Sequence, residues 1–242
     1  MKLMKQRNYS HNLKINAQKI ILQEGLDNMR SRFDEQLGLL NKKMIEMGAQ
    51  CEELIAIVAR ALLNGELESA EKAKSQGHEI DRMEREIESI CLKLLLQQQP
   101  VAKDLRVISA ALKMITDMER IGDQAEDIAE IIPFLNGKTG AEFDDFKLMA
   151  EATCKMVTDS IDAYVRQDVK LAKSVLERDD IVDDAFKKMK YTLIEMITDN
   201  NADGEYAIDL LMIAKYFERI GDHATNIAEW VEFSVTGVHK GE

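Results

Sequence analysis

Proline and glycine are scarce, at 2 and 12 residues in a chain of 242. So few turn formers exclude a fold of many short strands and a nucleotide fold built on glycine-rich loops. Aromatic residues make up only 5%, and β-branched residues do not gather into short alternating runs. Ala, Leu, Met, Glu, Lys and Gln fill long stretches instead, as helix propensity favours. The implied fold class is all-α. Cysteine is equally sparse: Cys51, Cys91 and Cys154 are odd in number and contain no Cys-x-x-Cys pair, which speaks against a disulfide framework and a zinc-thiolate site and for reduced core residues of a cytoplasmic protein. Apolar runs such as Ile55–Ala59 fall far short of the roughly 18 residues that span a bilayer, so no membrane insertion is expected. Basic residues are the minority, 32 against 44 acids, for a net charge of −12. That balance disfavours nucleic acid and anionic lipid as partners. With 45% hydrophobic residues, the chain can bury a sizeable core.

Residues 1–28 differ from the rest. They carry five basic residues against Glu24 and Asp27 and lack the apolar run of a secretory signal. Gln23-Glu24-Gly25 is encodable by CAG-GAG-GGN, a purine-rich ribosome-binding tract placed just upstream of Met29, so Met29 is the expected natural start. The competing reading is a basic arm that touches a membrane or a partner.

Breakers at Asn64-Gly65, Gln99-Pro100, Pro133–Gly140, Arg166–Asp168 and Asp199–Gly204 divide the remainder into long helical segments. The expected helices cover 29–63, 66–98, 101–132, 141–166, 168–198 and 205–235, antiparallel to their neighbours because the connections are short. The sequence also repeats itself. Glu119–Glu130 lies over Glu218–Glu229 with 9 of 12 positions identical at an offset of 99, and Glu66–Asp81 lies over Asp168–Asp183 at an offset of 102. Two tandem, homologous three-helix bundles follow, over 29–136 and 137–242.

The doubled segment carries the candidate chemistry. On a helix Glu119, Asp123, Asp127 and Glu130 share an arc of roughly 80°, in line with Leu105 and Leu112. Glu218, Asp222, Asn226 and Glu229 repeat the arrangement behind Ala207 and Leu211, and Asp179 and Asp183 form a further i, i+4 pair in line with Ala172, Leu176 and Ile194. Acids so spaced repel by a few tenths of a kcal/mol in water, and by more where an apolar seam draws them from solvent. Arg120 and Arg219 point about 100° away from this face and serve a neighbouring helix better than their own acids. A metal ion is the remaining counter-charge; oxygen donors suit Mg²⁺, Mn²⁺, Fe or Zn²⁺, and bridging carboxylates can hold several ions. A single acidic pair is more often a solvated face, but its recurrence in both halves favours metal. Gly122 and Gly221 read as close-approach points between helices.

Other patterns are weak. No Glu-x-x-His pair supports a ferritin-type di-iron bundle. His11 and His239 fall in tails, His223 points off the acidic face and reads as a surface residue, and His78 stays open as one residue from a ligand position. No phosphate loop or nucleophile elbow is present. The 13 methionines read as core fillers.

The doubled Glu-Arg-Ile-Gly-Asp motif, with Gln98–Arg106 and Val235-Thr236-Gly237, closely resembles the PhoU family, over roughly Met29 to Gly237. The resemblance implies a duplicated three-helix bundle, a cytoplasmic homodimer reaching the membrane only through protein partners, and metal clusters held by paired acidic motifs. It implies no enzyme but a negative regulator of the phosphate-starvation response, linking the phosphate ABC transporter ATPase to a sensor histidine kinase. Carried over by position, the second-half site is Asp179, Asp183, Glu218 and Asp222 with Asn226 at its edge. The first-half site is Asp81, Glu119 and Asp123, with Gly77 where an acid is expected and Asp127 as the residue expected to compensate. A metal-dependent hydrolase and a purely structural helical protein are the competing readings.

Overall fold

The connections between helices are too short to let consecutive helices do anything but fold back on each other, and that constraint builds the molecule. A computed structural model of the chain describes residues 2–97, 100–198 and 203–238, with side chains from Arg30 onward except those of Lys74 and Gln97. Helices α1 (Lys2–Asn64), α2 (Leu67–Gln97) and α3 (Ala102–Ile131) form repeat 1. Helices α4 (Asp144–Arg166), α5 (Val169–Thr198) and α6 (Gly204–Thr236) form repeat 2, and two 3₁₀ turns at Ile132–Leu135 and Gly140–Glu142 lie between the repeats. Among the described residues there is no strand.

The boundaries expected from the breakers hold to within a residue or two, with two exceptions. Helix α1 begins at Lys2 rather than near Met29; the segment ahead of Met29 contains no proline and a single glycine, so nothing there stops a helix. Helix α4 begins at Asp144 rather than 141 because Gly140–Glu142 is wound as a 3₁₀ turn. The histidines expected in tails, His239 and the side chain of His11, lie outside the described residues.

Aspartate caps mark the starts of α3, α5 and α6. The Asp168 carboxylate accepts from the Lys170 and Leu171 amides at 2.9 and 3.1 Å and opens α5; Asp203 accepts from the Tyr206 amide at 3.2 Å and opens α6. At the start of α3, Asp104 accepts from the Val101 amide and from Arg30 Nη1 at 2.7 Å, tying α1 to α3. Pro100 stands just ahead of that cap, and Pro133 sits in the first turn of the 3₁₀ segment, where the missing amide proton costs nothing. Helix α1 ends at Gly65, whose φ of 73° favours glycine.

One apolar core runs through both repeats. Seven methionines (Met44, Met47, Met114, Met118, Met149, Met156 and Met189) are fully buried in it, together with Leu40, Leu54, Ile80, Ile87, Phe217 and Ile220; these seven are core fillers as expected, whereas Met212 is 41% exposed. Helix α3 packs along α6 and α1 packs against α4, so the repeats are joined through their first and third helices. The second helix of each repeat, α2 or α5, stays on the outside. Its contact with the third helix is where the acids meet.

Candidate metal centre

Repeat 1 brings three of its expected acids together. Asp81 projects from α2, Glu119 and Asp123 from successive turns of α3, and one carboxylate oxygen of each lies within 4.8 Å of the others. The close approach of the two helices makes this possible: a Cβ added to Gly122 would come within 3.1 Å of Ile80 Cδ1. The group occupies the margin of the core. Leu105, expected on a buried stripe, is 43% exposed, whereas Glu119 and Asp81 are half-buried and Asp123 is open to solvent. Burial, followed by the charge of Asp123, pushes the Glu119 carboxyl above its ordinary range; burial and then Asp81 do the same to Asp123. Arg120 offsets only part of this repulsion, and a divalent cation held by the three carboxylates would relieve the rest.

Two acids missed in the sequence reading add to this charge. Glu84, one turn beyond Asp81, raises the Glu119 carboxyl and is itself raised by burial and by Glu88. Glu126, two turns beyond Glu119, is raised by burial and by Asp123 and Asp81, while His78 opposes the shift. Seven-residue spacing from Glu119 places Glu126 about 20° from it on the helix, a signal available in the sequence.

In repeat 2, Asp179 and Asp183 on α5 face Glu218 and Asp222 on α6. Asp179 feels all three of the others: its carboxyl is pushed up to about 6, first by burial and then by Asp183, Asp222 and Glu218. A Cβ on Gly221 would lie 3.1 Å from Asp179 Oδ1, so the glycine makes room for that carboxylate. Lysines have entered this site. Lys215 donates to Glu218 Oε2 while lying over the Phe186 ring at 5.4 Å, and Lys187 approaches Asp183 Oδ2 at 3.7 Å. The 99 and 102 offsets place Thr116, Arg85 and Glu84 at the corresponding positions of repeat 1. The repeat that holds all four expected acids therefore holds them half-paired, and the repeat that lacks one has the tightly converged set.

The two-repeat helical organisation is not peculiar to this chain. The family model of the PhoU domain matches it twice, over residues 44–132 and 146–231. The chain belongs to the PhoU family. It is 35% identical over 210 residues to a Clostridium acetobutylicum protein named phosphate-specific transport system accessory protein PhoU homolog, covering 86% of this chain and 96% of that one. A homolog so named from Thermotoga maritima is 34% identical over 215 residues, 87% of this chain and 91% of the relative. The crystal structure of PhoU from Pseudomonas aeruginosa superposes with a TM-score of 0.81 at 30% identity, covering 85% of this chain and all of that one.

The two PhoU repeats meet along α3 and α6, and this seam claims two residues that the sequence assigns to the metal sites. Asn226 Nδ2 donates to Asp117 Oδ1 at 3.1 Å, across to the other repeat. Asp127 feels both the acids and α6: burial, then Glu130 and Asp123, raise its carboxyl while Arg219 lowers it, and burial followed by Asp127 raises the Tyr216 phenol. Both sit 40° further round the helix than Asp123 and Asp222, enough to turn them from the second helix to the opposite repeat. Arg219 thus serves a neighbouring helix, as its direction implies. His223 corrects the reading of a surface residue: it is 8% exposed, and its Nδ1 donates to Asp117 Oδ1 at 2.9 Å. His78 is exposed beside Glu126. Among the described residues no helix is long and apolar enough to cross a membrane.

Proposed function

We propose that the chain is a non-enzymatic, cation-loaded regulator of phosphate transport. Its repeats bind Fe, Mn, Zn or Mg, singly or as clusters, through Asp81, Glu119 and Asp123 in repeat 1 and through Asp179, Asp183, Glu218 and Asp222 in repeat 2. The observation that carries this reading is the convergence of Asp81, Glu119 and Asp123 across two helices, acids that recur in the sequence of repeat 2 as Asp183, Glu218 and Asp222. Cations neutralise carboxylates that otherwise repel and staple the outer helix to the inner one in each repeat. Beyond the acids, Tyr191, Ile194 and Ile197 on α5 and Ile208 and Met212 on α6 are exposed, an apolar strip suited to a protein partner.

The partners in this reading are a second copy of the chain, the ATPase of the phosphate ABC transporter and the sensor histidine kinase that controls the phosphate-starvation response, met at the cytoplasmic face of the membrane. The names of the relatives support the transport system as the setting. The test is co-purification of tagged full-length protein with that ATPase and kinase, with and without chelator, beside a phosphate-starvation reporter in a deletion strain. Metal-dependent capture of both partners and derepression on deletion are expected. Absence of capture together with an unchanged reporter contradicts the reading, and Mn²⁺-dependent phosphatase activity abolished by Asp222→Asn favours a hydrolase instead.

A further inference from the structure

Repeat 1 lacks an acid at Gly77, and the volume that a side chain there would fill is already taken. A Cβ built on Gly77 would fall 1.5 Å from Glu126 Oε1, 2.2 Å from its Cδ and 2.8 Å from its Cγ. The Glu126 carboxylate, reaching over from α3, stands where the side chain of residue 77 would begin. The corresponding positions of repeat 2 carry the reverse pair. Asp179 replaces Gly77 and directs Oδ1 toward Gly221, whereas Thr225 replaces Glu126 and turns its hydroxyl back to the Asp222 carbonyl at 2.6 Å. The acid and the small residue have exchanged helices between the repeats.

A second observation indicates that this carboxylate is placed for a ligand. Glu126 Oε1 is buried and has no hydrogen-bond partner among the described residues, an arrangement that costs about 1–3 kcal/mol or more for a charged group unless something binds it. After burial, the charges that act on it are His78, which favours its ionised form, and Asp123, Asp81 and Glu130, which oppose it.

We propose that Glu126 supplies the cation-binding carboxylate that Gly77 cannot, so that repeat 1 holds its ion with Asp81, Glu119, Asp123 and Glu126, one acid from α2 and three from α3. The inference rests on the metal reading above and replaces Asp127 as the compensating residue. A glutamate from α3 reaches the vacant space only because residue 77 has no side chain, so the two positions form a unit: neither Gly77→Asp alone nor Glu126→Thr alone reproduces the repeat 2 arrangement, but the pair does.

The test is Mn²⁺ binding to the full chain, followed by the loss of the free Mn²⁺ signal in electron paramagnetic resonance, in a background where Asp183→Asn and Asp222→Asn silence repeat 2. Urea midpoints confirm that each variant folds. Glu126→Gln should weaken binding by at least about 10-fold, on the scale of a lost ligand contact, and Gly77→Asp with Glu126→Thr should restore it to within about 3-fold. If Glu126→Gln leaves affinity unchanged while Glu119→Gln with Asp123→Asn abolishes it, the proposal falls and the metal reading stands. Loss at Glu84→Gln in place of Glu126→Gln, or loss at Glu126→Gln that the double exchange does not restore, also overturns it. No Mn²⁺ binding to the parent background or to the unaltered chain overturns both.

Discussion

Repeat 1 and repeat 2 descend from one pattern and have arrived at opposite compromises. Repeat 2 retains two acids on each helix, but Lys187 approaches Asp183 and Lys215, where repeat 1 has Thr116, pairs with Glu218. Repeat 1 has lost the acid at Gly77, yet its Asp81, Glu119 and Asp123 converge within 4.8 Å, and Glu84 and Glu126 add charge nearby. The number of acids and their convergence are thus separate properties. A lysine lowers the cost of an apo carboxylate cluster and raises the cost of loading it, because the cation must displace the ammonium. On the reading proposed above, repeat 1 is poised for a cation, and repeat 2 is buffered against its absence.

The largest way to break this comparison is to remove ligands from one repeat at a time. Glu119→Gln with Asp123→Asn should reduce metal affinity at repeat 1 by more than about 100-fold, beyond the range of outer-shell changes, and leave repeat 2 loaded; Glu218→Gln with Asp222→Asn should do the reverse. Isothermal titration separates the two. The next effect lies in the seam. Asp117→Ala leaves the buried His223 ring and the exposed Asn226 amide without their shared acceptor and should cost about 1–3 kcal/mol in urea unfolding, whereas Tyr216→Phe should cost less.

Smaller again is the glycine pair. Gly122→Ala presses a Cβ against Ile80, which is fully buried, and Gly221→Ala presses one against Asp179. Overpacking costs about 1–3 kcal/mol and the gain in helix propensity returns about 1. Gly122→Ala should therefore lower stability by about 1 kcal/mol, while Gly221→Ala should leave stability nearly unchanged and weaken metal binding at repeat 2. The smallest effect is on pH. The Asp179 carboxyl titrates at about 6 in the folded protein, against an ordinary value of 3.8, so between those values the native state holds a proton that the unfolded chain does not. That contribution is fully present below the unfolded value and is lost as pH rises through about 6. The melting temperature of metal-free protein should rise modestly from pH 7 to 5, and Asp179→Asn should flatten the rise in calorimetry.

Much of the fold was legible because each of its causes is local. Scarce breakers, their clusters at Arg166–Asp168 and Asp199–Gly204, and the offset repeat specify six helices and two bundles without reference to the rest of the chain. The acids on the second and third helices were legible from their i, i+4 spacing and duplication. Three assignments were not. Asp127 and Asn226 share an arc with the acids, but a 40° rotation sends them to the opposite repeat, and which neighbour stands at that angle is a property of the packed bundles. His223 looked exposed because it leaves the acidic face, yet the face it joins is the buried α3–α6 seam. The spacing of Glu126 from Glu119 was available, but its place beside Gly77 was not: the space left by the missing side chain becomes visible only when α3 is seen to fill it.

The most direct measurement is anomalous X-ray scattering from crystals of the full chain purified without chelator and soaked in Mn²⁺. Peaks bounded by Asp81, Glu119 and Asp123 in repeat 1 and by Asp179, Asp183, Glu218 and Asp222 in repeat 2 are expected, with Lys215 turned away from Glu218. Ordered crystals with no anomalous density at either cluster, and with Lys215 still paired to Glu218, contradict the reading of this chain as a cation-loaded PhoU protein.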